Sequence, residues 1–286
     1  MAFFDSFKVL PQYVLPHHLL SRLMSLFTHS KNKKLKDFMI NKVIAIYGVN
    51  LKEALPDNPK RYQTFNDFFT RALKPRARTI AEGEGEIACP ADGAVSQVGK
   101  INGAKVFQAK GKMFSVVDLL GGSVERAVPF IDGDFATVYL SPKDYHRLHM
   151  PLTGTLKEMV HVPGRLFSVN AATTRSVSGL FARNERVAAI FDTEAGPMAL
   201  VLVGAIFVSS IETVWHGIVT PPTANNVISW NYKQKTITLK KGEEMGRFNM
   251  GSTIIVLFGK DKIHWDNEFK TDATVKLGSK IGKKAD

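Results

Sequence analysis

Beyond about residue 85 this chain is a succession of short apolar or β-branched runs separated by glycine and proline. That rhythm limits its fold more than any other feature. Gly93–Val98, Phe135–Leu140, Val187–Phe191, Thr236–Leu239 and Ser252–Phe258 are each of strand length, the pattern of a β-rich domain. The longest markedly apolar charge-free run, Ala195–Ile211, has 17 residues, short of the roughly 20 that a membrane-spanning helix needs. Gly196, Pro197 and Gly204 interrupt it, so its apolar parts, Met198–Val203 and Ile206–Val208, read as buried strands.

The first 70 residues follow another period. Leu19, Leu20, Leu23, Met24 and Phe27 fall on one helical face, with Ser21, Arg22 and Ser25 on the other. A second stripe runs through Met39, Ile40, Val43, Ile44 and Tyr47, just after Lys31, Lys33, Lys34 and Lys36. The net charge of +12 is concentrated here: residues 1–80 hold 14 Lys/Arg against 5 Asp/Glu, while residues 81–258 hold 17 against 16. Basic amphipathic helices of this kind lie in an anionic lipid interface or cap a core as ordinary surface helices. The expected fold class is therefore α+β: a helical amphipathic region over residues 1–70, then a β-rich catalytic domain over 71–286. The N-terminus lacks a signal-peptide plan, which implies a soluble or peripheral protein kept in the cytosol.

Composition removes several functions. The single cysteine, Cys89, forms no internal disulfide and beside Pro90 reads as a small buried side chain. Zinc-finger, basic-zipper and RNA-binding aromatic motifs are missing, so the basic surplus is not assigned to nucleic acid. The sequence also lacks a phosphate loop and a dinucleotide fingerprint.

Three stretches carry chemistry. Pro90–Gly93 (PADG) places Asp92 in a turn before a strand. Between an apolar strand and Pro151, His146 and His149 stand three residues apart. With no third ligand or HExxH pattern, they suit acid–base work better than a metal, and a purely structural pair is the alternative. Gly251-Ser252-Thr253 opens the apolar run Ile254–Phe258. Asp92, a histidine and Ser252 can make a triad in any chain order, while the absence of Gly-x-Ser-x-Gly disfavours an α/β-hydrolase.

In these motifs and several further blocks the chain resembles the bacterial, membrane-associated phosphatidylserine decarboxylases. The matching text is Phe65–Arg71 (FNDFFTR), Leu73–Pro75, Pro90–Gly93, Ser141–Pro151, Pro163-Gly164, Leu166–Asn170 (LFSVN) and Leu180–Arg186 (LFARNER). It continues with Val203–Ala205, Ile211–Trp215 (IETVW), Lys241–Phe248 (KGEEMGRF) and Gly251–Thr253. Members are proenzymes that cut themselves at the Gly-Ser bond of an LGST motif. Here the motif reads Met250-Gly251-Ser252-Thr253, a near volume-conserving change at its first position.

The resemblance implies a set of roles. His149, oriented by Asp92, deprotonates Ser252, whose alkoxide attacks the Gly251 carbonyl. Cleavage gives a β chain of 1–251 and an α chain of 252–286 that begins with a covalent pyruvoyl group derived from Ser252. That group forms a Schiff base with phosphatidylserine and replaces pyridoxal phosphate or a metal as cofactor. His146 returns a proton during decarboxylation, and phosphatidylethanolamine and carbon dioxide leave. The expected partners are phosphatidylserine, an anionic bilayer touched by Leu19, Leu20, Leu23, Met24 and Phe27, and a second copy in a homodimer. The expected location is peripheral, on the cytoplasmic face of the inner membrane. Two other readings compete: a serine hydrolase acting on a lipid ester through Asp92, His149 and Ser252, and a lipid-binding relative without catalysis.

Overall fold

The computed structural model describes residues 9–206, 210–220, 225–250 and 252–286. Its α+β architecture has helices first and sheets after. The helices are α1 (His17–Thr28), α2 (Lys33–Tyr47) and α3 (Phe65–Phe69). The body is organised on a long antiparallel sheet containing β1 (Gly93–Lys100), β2 (Asp134–Tyr139), β3 (Gly154–Val162), β4 (Arg186–Thr193), β5 (Gly196–Val203) and β6 (Thr253–Phe258). Across the sheet the order is β3, β4, β5, β6, β2, β1, with the short strands Ile228–Asn231 and Thr274–Val275 at its two edges.

The expected strands at 93–98, 135–140, 187–191, 198–203 and 252–258 all occur, displaced by a residue or two. Thr236–Leu239 shrinks to Thr238–Leu239, which pairs with β3. Most of the Ile206–Val208 run lies outside the described residues, and Ile206 itself is in a turn.

Both faces of the sheet are covered. Val138, Leu202, Ile254 and Val256 pack against Leu148, Ile211, Met245 and Phe248 from a four-stranded sheet on one side. Val201, Val203, Ile255 and Leu257 meet Phe114, Leu119, Phe130 and Phe181 from short helices and a hairpin on the other. β6 lies between β5 and β2 with every residue buried. A strand enclosed on both faces has no polar side to show, which explains why Ile254–Phe258 reads as one continuous apolar run.

α2 starts at Asn32, whose side chain accepts the Leu35 N–H, and stops at Gly48 in the left-handed region. Its stripe is a packing stripe: Ile40 is buried, and Met39, Val43 and Ile44 close on Tyr62, Phe65, Phe68, Phe69 and Met250. Only Tyr47 of the expected set is exposed. For this stripe the core-capping alternative fits, because α3 supplies an aromatic surface for it to cover.

α1 behaves in the opposite way. It buries the polar residues His17, Ser21 and Thr28 and exposes Leu19, Leu23, Leu26 and Phe27. Leu20 and Met24 are half-buried, and Ser21 is on the inner rather than the outer face. The loop after β3 makes this orientation possible. His17 Nδ1 accepts the Leu166 N–H at 3.3 Å, His18 donates to the Gly164 carbonyl at 2.8 Å, and Ser168 N–H donates to Gln12 at 2.8 Å.

Gly93 enters β1 where no side chain fits: a Cβ there would lie 2.3 Å from the Tyr139 carbonyl oxygen. Gly93→Ala is expected to cost about 1–3 kcal/mol by forcing β1 from β2. A lower urea midpoint at unchanged slope checks this; an unaltered midpoint contradicts the packing argument.

Candidate active site

Register brings the chemistry to one end of the long sheet. Val162, Arg186, Val203, Thr253, Tyr139 and Ala94 form a continuous row across six strands. Asp92 and Ser252 lie just before the first paired residues of β1 and β6, and the histidine loop leaves β2 at the same end. Leu140 N–H donates to the Ser252 carbonyl at 2.8 Å. The short strand Arg147–His149 folds back so that His149 N–H donates to the Pro90 carbonyl at 2.9 Å, beside Asp92. Asp92 and Ser252, 160 positions apart in sequence, are thereby brought to the same end of the sheet, on either side of β2.

Asp92 is buried and fully engaged. Arg78 grips both carboxylate oxygens, with Nε 3.0 Å from Oδ1; Leu277 N–H donates to Oδ1 at 2.8 Å, and Lys276 Nζ is 3.3 Å from Oδ2. Burial alone would raise its pKa. The Arg78 guanidinium and the Leu277 N–H outweigh burial and hold the carboxyl below the usual range. Arg78 itself reaches Glu53 at 2.8 Å. Asp92 is thus an anion at neutral pH, clasped partly by residues that follow Ser252.

His149 does not bond Asp92 directly. Its Nδ1–H donates to the Gly242 carbonyl at 2.9 Å, which leaves Nε2 as the lone-pair nitrogen; the Tyr145 hydroxyl lies 3.1 Å from it. Burial holds its pKa below the ordinary histidine value, while Glu244 and Asp92 favour the charged form through space. Burial keeps the Tyr145 phenol protonated and able to donate.

His146 is completely buried and stacks on Phe69 with ring centroids 4.0 Å apart. Its Nε2–H donates to the Ser141 carbonyl at 3.1 Å, and Nδ1 has no hydrogen-bond partner among the described residues. Burial, helped by the Arg71 charge, pushes its pKa down to about 3, so the ring is neutral. The Ser252 hydroxyl is likewise buried and unpartnered among the described residues. Met250, two residues earlier, adopts φ 71°, a conformation costly for a non-glycine residue. Gly251, the expected scission partner, lies outside the described residues.

The expected set, Asp92, His146, His149 and Ser252, therefore converges on one end of the sheet without a hydrogen-bonded Asp–His–Ser chain. Arg78, Tyr145 and Gly242 were missed in the sequence. Tyr145 stands within the quoted Ser141–Pro151 block and Gly242 within KGEEMGRF, but nothing in their spacing announces a contact with His149. Cys89 is buried with its thiol pushed up to about 12, an inert side chain as expected. Among the described residues no group of three His, Cys, Asp or Glu side chains is arranged to hold a metal ion, and no helix is long and apolar enough to cross a membrane.

Known proteins share this arrangement of sequence. A family model described as Phosphatidylserine decarboxylase matches residues 65–283, and a second, described as PSD, matches residues 7–48. The chain is similar to the phosphatidylserine decarboxylase proenzyme of Bordetella pertussis, 55% identical over 98% of this chain and 95% of the relative. It is also similar to the proenzymes so named from Ectopseudomonas mendocina, 55% identical over 96% of both chains, and Shewanella amazonensis, 51% identical over 99% and 100%.

Buried neutral histidines make acid sensitivity predictable. The folded pKa of His146 lies far below its ordinary 6.5. The unfolded chain therefore takes up a proton that the fold refuses once pH drops below about 6.5, and stability falls with it. The slope is about 1.4 kcal/mol per pH unit for this one group. Urea midpoints between pH 7.5 and 5 should fall with pH, and His146→Gln should flatten that fall. Parallel curves for the two proteins would contradict a neutral buried His146.

Proposed function

The chain belongs to the phosphatidylserine decarboxylase family, and from that premise we propose that it matures at Gly251–Ser252 into a pyruvoyl enzyme converting phosphatidylserine to phosphatidylethanolamine and carbon dioxide. The observation that carries the site assignment is Ser252. Its buried hydroxyl is unpartnered among the described residues, stands at the head of the central strand and follows a left-handed Met250. These are surroundings that fit a backbone poised for rearrangement and a small carbonyl group in place of the serine.

Self-cleavage starts at the Ser252 Oγ. His149 has its Nδ1–H committed to Gly242, so Nε2 accepts the hydroxyl proton after exchanging the Tyr145 hydroxyl for that of Ser252. Asp92 acts at range: its carboxylate, kept ionised by Arg78, favours the imidazolium that forms. Oγ attacks the Gly251 carbonyl, the amide C–N bond breaks, and an ester replaces it. Loss of the Ser252 α-proton expels the Gly251 carboxylate. Hydrolysis of the dehydroalanine left behind releases ammonia and leaves the carbonyl.

A pyruvoyl group at position 252 supplies an electron sink for decarboxylation, the task pyridoxal phosphate performs elsewhere. His146, neutral and bonded through Nε2–H to Ser141, keeps Nδ1 free to hold and return the proton. Water is excluded by Phe69 on one side of this ring. After cleavage residues 252–286 remain in place because β6 is paired on both edges and buried on both faces.

The same reading assigns residues 1–70 to membrane association and 71–286 to catalysis. The exposed apolar face of α1, with Leu19 55%, Leu23 44% and Phe27 54% accessible, supports contact with a bilayer. Leu20 and Met24 stand at its margin. The basic surplus of residues 1–80 suits anionic lipid, on the cytoplasmic face of the inner membrane. A homodimeric state rests on the family resemblance.

A denatured mass spectrum of purified protein tests maturation. Fragments 1–251 and 252–286, the latter beginning with pyruvoyl, are expected; an uncut preparation that still decarboxylates phosphatidylserine overturns the assignment. Ser252→Ala should remain full length and inactive, and His146→Ala should be cut yet lose turnover. For the membrane face, Leu23→Asp with Phe27→Asp should weaken sedimentation with phosphatidylserine vesicles at least about tenfold while self-cleavage persists. Unchanged sedimentation would remove α1 from the interface.

A further inference from the structure

Three successive residues, the last of the FNDFF helix and the two that follow it, hold the histidine loop. Phe69 stacks on the His146 ring at 4.0 Å. The Thr70 carbonyl accepts Arg147 Nε–H at 2.9 Å. Arg71 Nη2 donates to the carbonyls of Lys143 at 2.8 Å and Asp144 at 3.1 Å. The loop between β2 and His149 is thus gripped before, at and after His146.

Arg71 is an unusual residue for such a task. Its side chain is 4% exposed, its guanidinium carbon lies 5.5 Å from the Phe68 ring centroid, and it forms no ion pair among the described residues. The nearby Asp144 carboxylate is turned to Ser141, accepting its N–H at 2.8 Å and its hydroxyl at 2.6 Å. Arg71 Nε and Nη1 have no hydrogen-bond partner among the described residues. A buried cation without a carboxylate is expensive, and burial pulls its pKa down. Its two donated bonds go to main-chain carbonyls, and a backbone loop is what they fix.

We propose that Arg71 is a positioning residue for decarboxylation: it fixes the 141–146 loop so that His146 keeps its Nε2–H on the Ser141 carbonyl and presents Nδ1 as the proton-carrying nitrogen. The inference rests on the role given to His146 above. Arg71 also places a positive charge where an imidazolium would form, which reinforces the neutral ring. Through Phe65, Phe68 and Phe69 the same segment is packed under α2, so the loop is braced by the helical region rather than by the sheet alone.

Arg71→Gln and Arg71→Lys separate this role from general stability. In matured enzyme, Arg71→Gln should lower kcat for phosphatidylserine vesicles at least tenfold with little change in KM and with both fragments still formed. Arg71→Lys, which keeps a cationic donor, should recover most of the loss. Nitrogen-15 NMR of His146 in the uncut Ser252→Ala protein at neutral pH supplies a reading independent of turnover. A single Nε2–H tautomer is expected with Arg71 or lysine, and averaged tautomers with glutamine. Unchanged kcat and a single tautomer in Arg71→Gln overturn the proposal. So does a loss that lysine cannot restore and that falls equally on KM. Wild-type protein that never decarboxylates phosphatidylserine would instead defeat the functional reading, and the NMR comparison would still decide the role of Arg71.

Discussion

The burial of β6 in the middle of the long sheet is the constraint on which the other features depend. Its pairing with β5 and β2 sets where Ser252 stands, and its two packed faces prevent that position from drifting. Five fully buried side chains, Ile254 to Phe258, each contribute about 1.5–3 kcal/mol of apolar burial. A bond broken immediately before such a strand removes a covalent link without removing what holds the strand. The fold can therefore place a scissile bond at a strand entry and remain one body afterwards.

Electrostatics at the site is arranged around a few buried charges. Arg78, Lys276 and the Leu277 N–H keep Asp92 ionised, and they come from both sides of the Gly251–Ser252 bond in sequence. The two histidines are set by main-chain carbonyls instead: Gly242 takes Nδ1–H of His149 and Ser141 takes Nε2–H of His146. The lone pair is accordingly on Nε2 in one ring and on Nδ1 in the other. Two chemically identical side chains three residues apart acquire different proton-transfer geometries from their carbonyl partners.

Much of the fold was legible because strand-length apolar runs and punctuating glycines are local signals. The β-rich body and its five central strands follow from them. The N-terminal stripes show where local signals stop. Both have helical spacing, yet α2 turns its stripe onto Phe65, Phe68 and Phe69, whereas α1 turns Leu19, Leu23 and Phe27 outward and Ser21 inward. Periodicity identifies an apolar face but not the surface that receives it. For α1 the answer lies in hydrogen bonds from the distant loop 163–170, to which His17, His18 and Gln12 are matched.

By itself the amino-acid sequence singled out Asp92, His146, His149 and Ser252 as candidate site residues, because residue type and motif order are properties of the chain. It also determined the strand rhythm that makes the body a sheet structure. Only the tertiary structure decided that Arg78 rather than His149 receives the Asp92 carboxylate, that Tyr145 occupies the His149 Nε2, and that Arg71 braces the loop of His146. These are contacts between segments far apart in the chain, or between side chains whose direction depends on the backbone path. They are set by strand register and by the high cost of leaving a buried polar group unpaired.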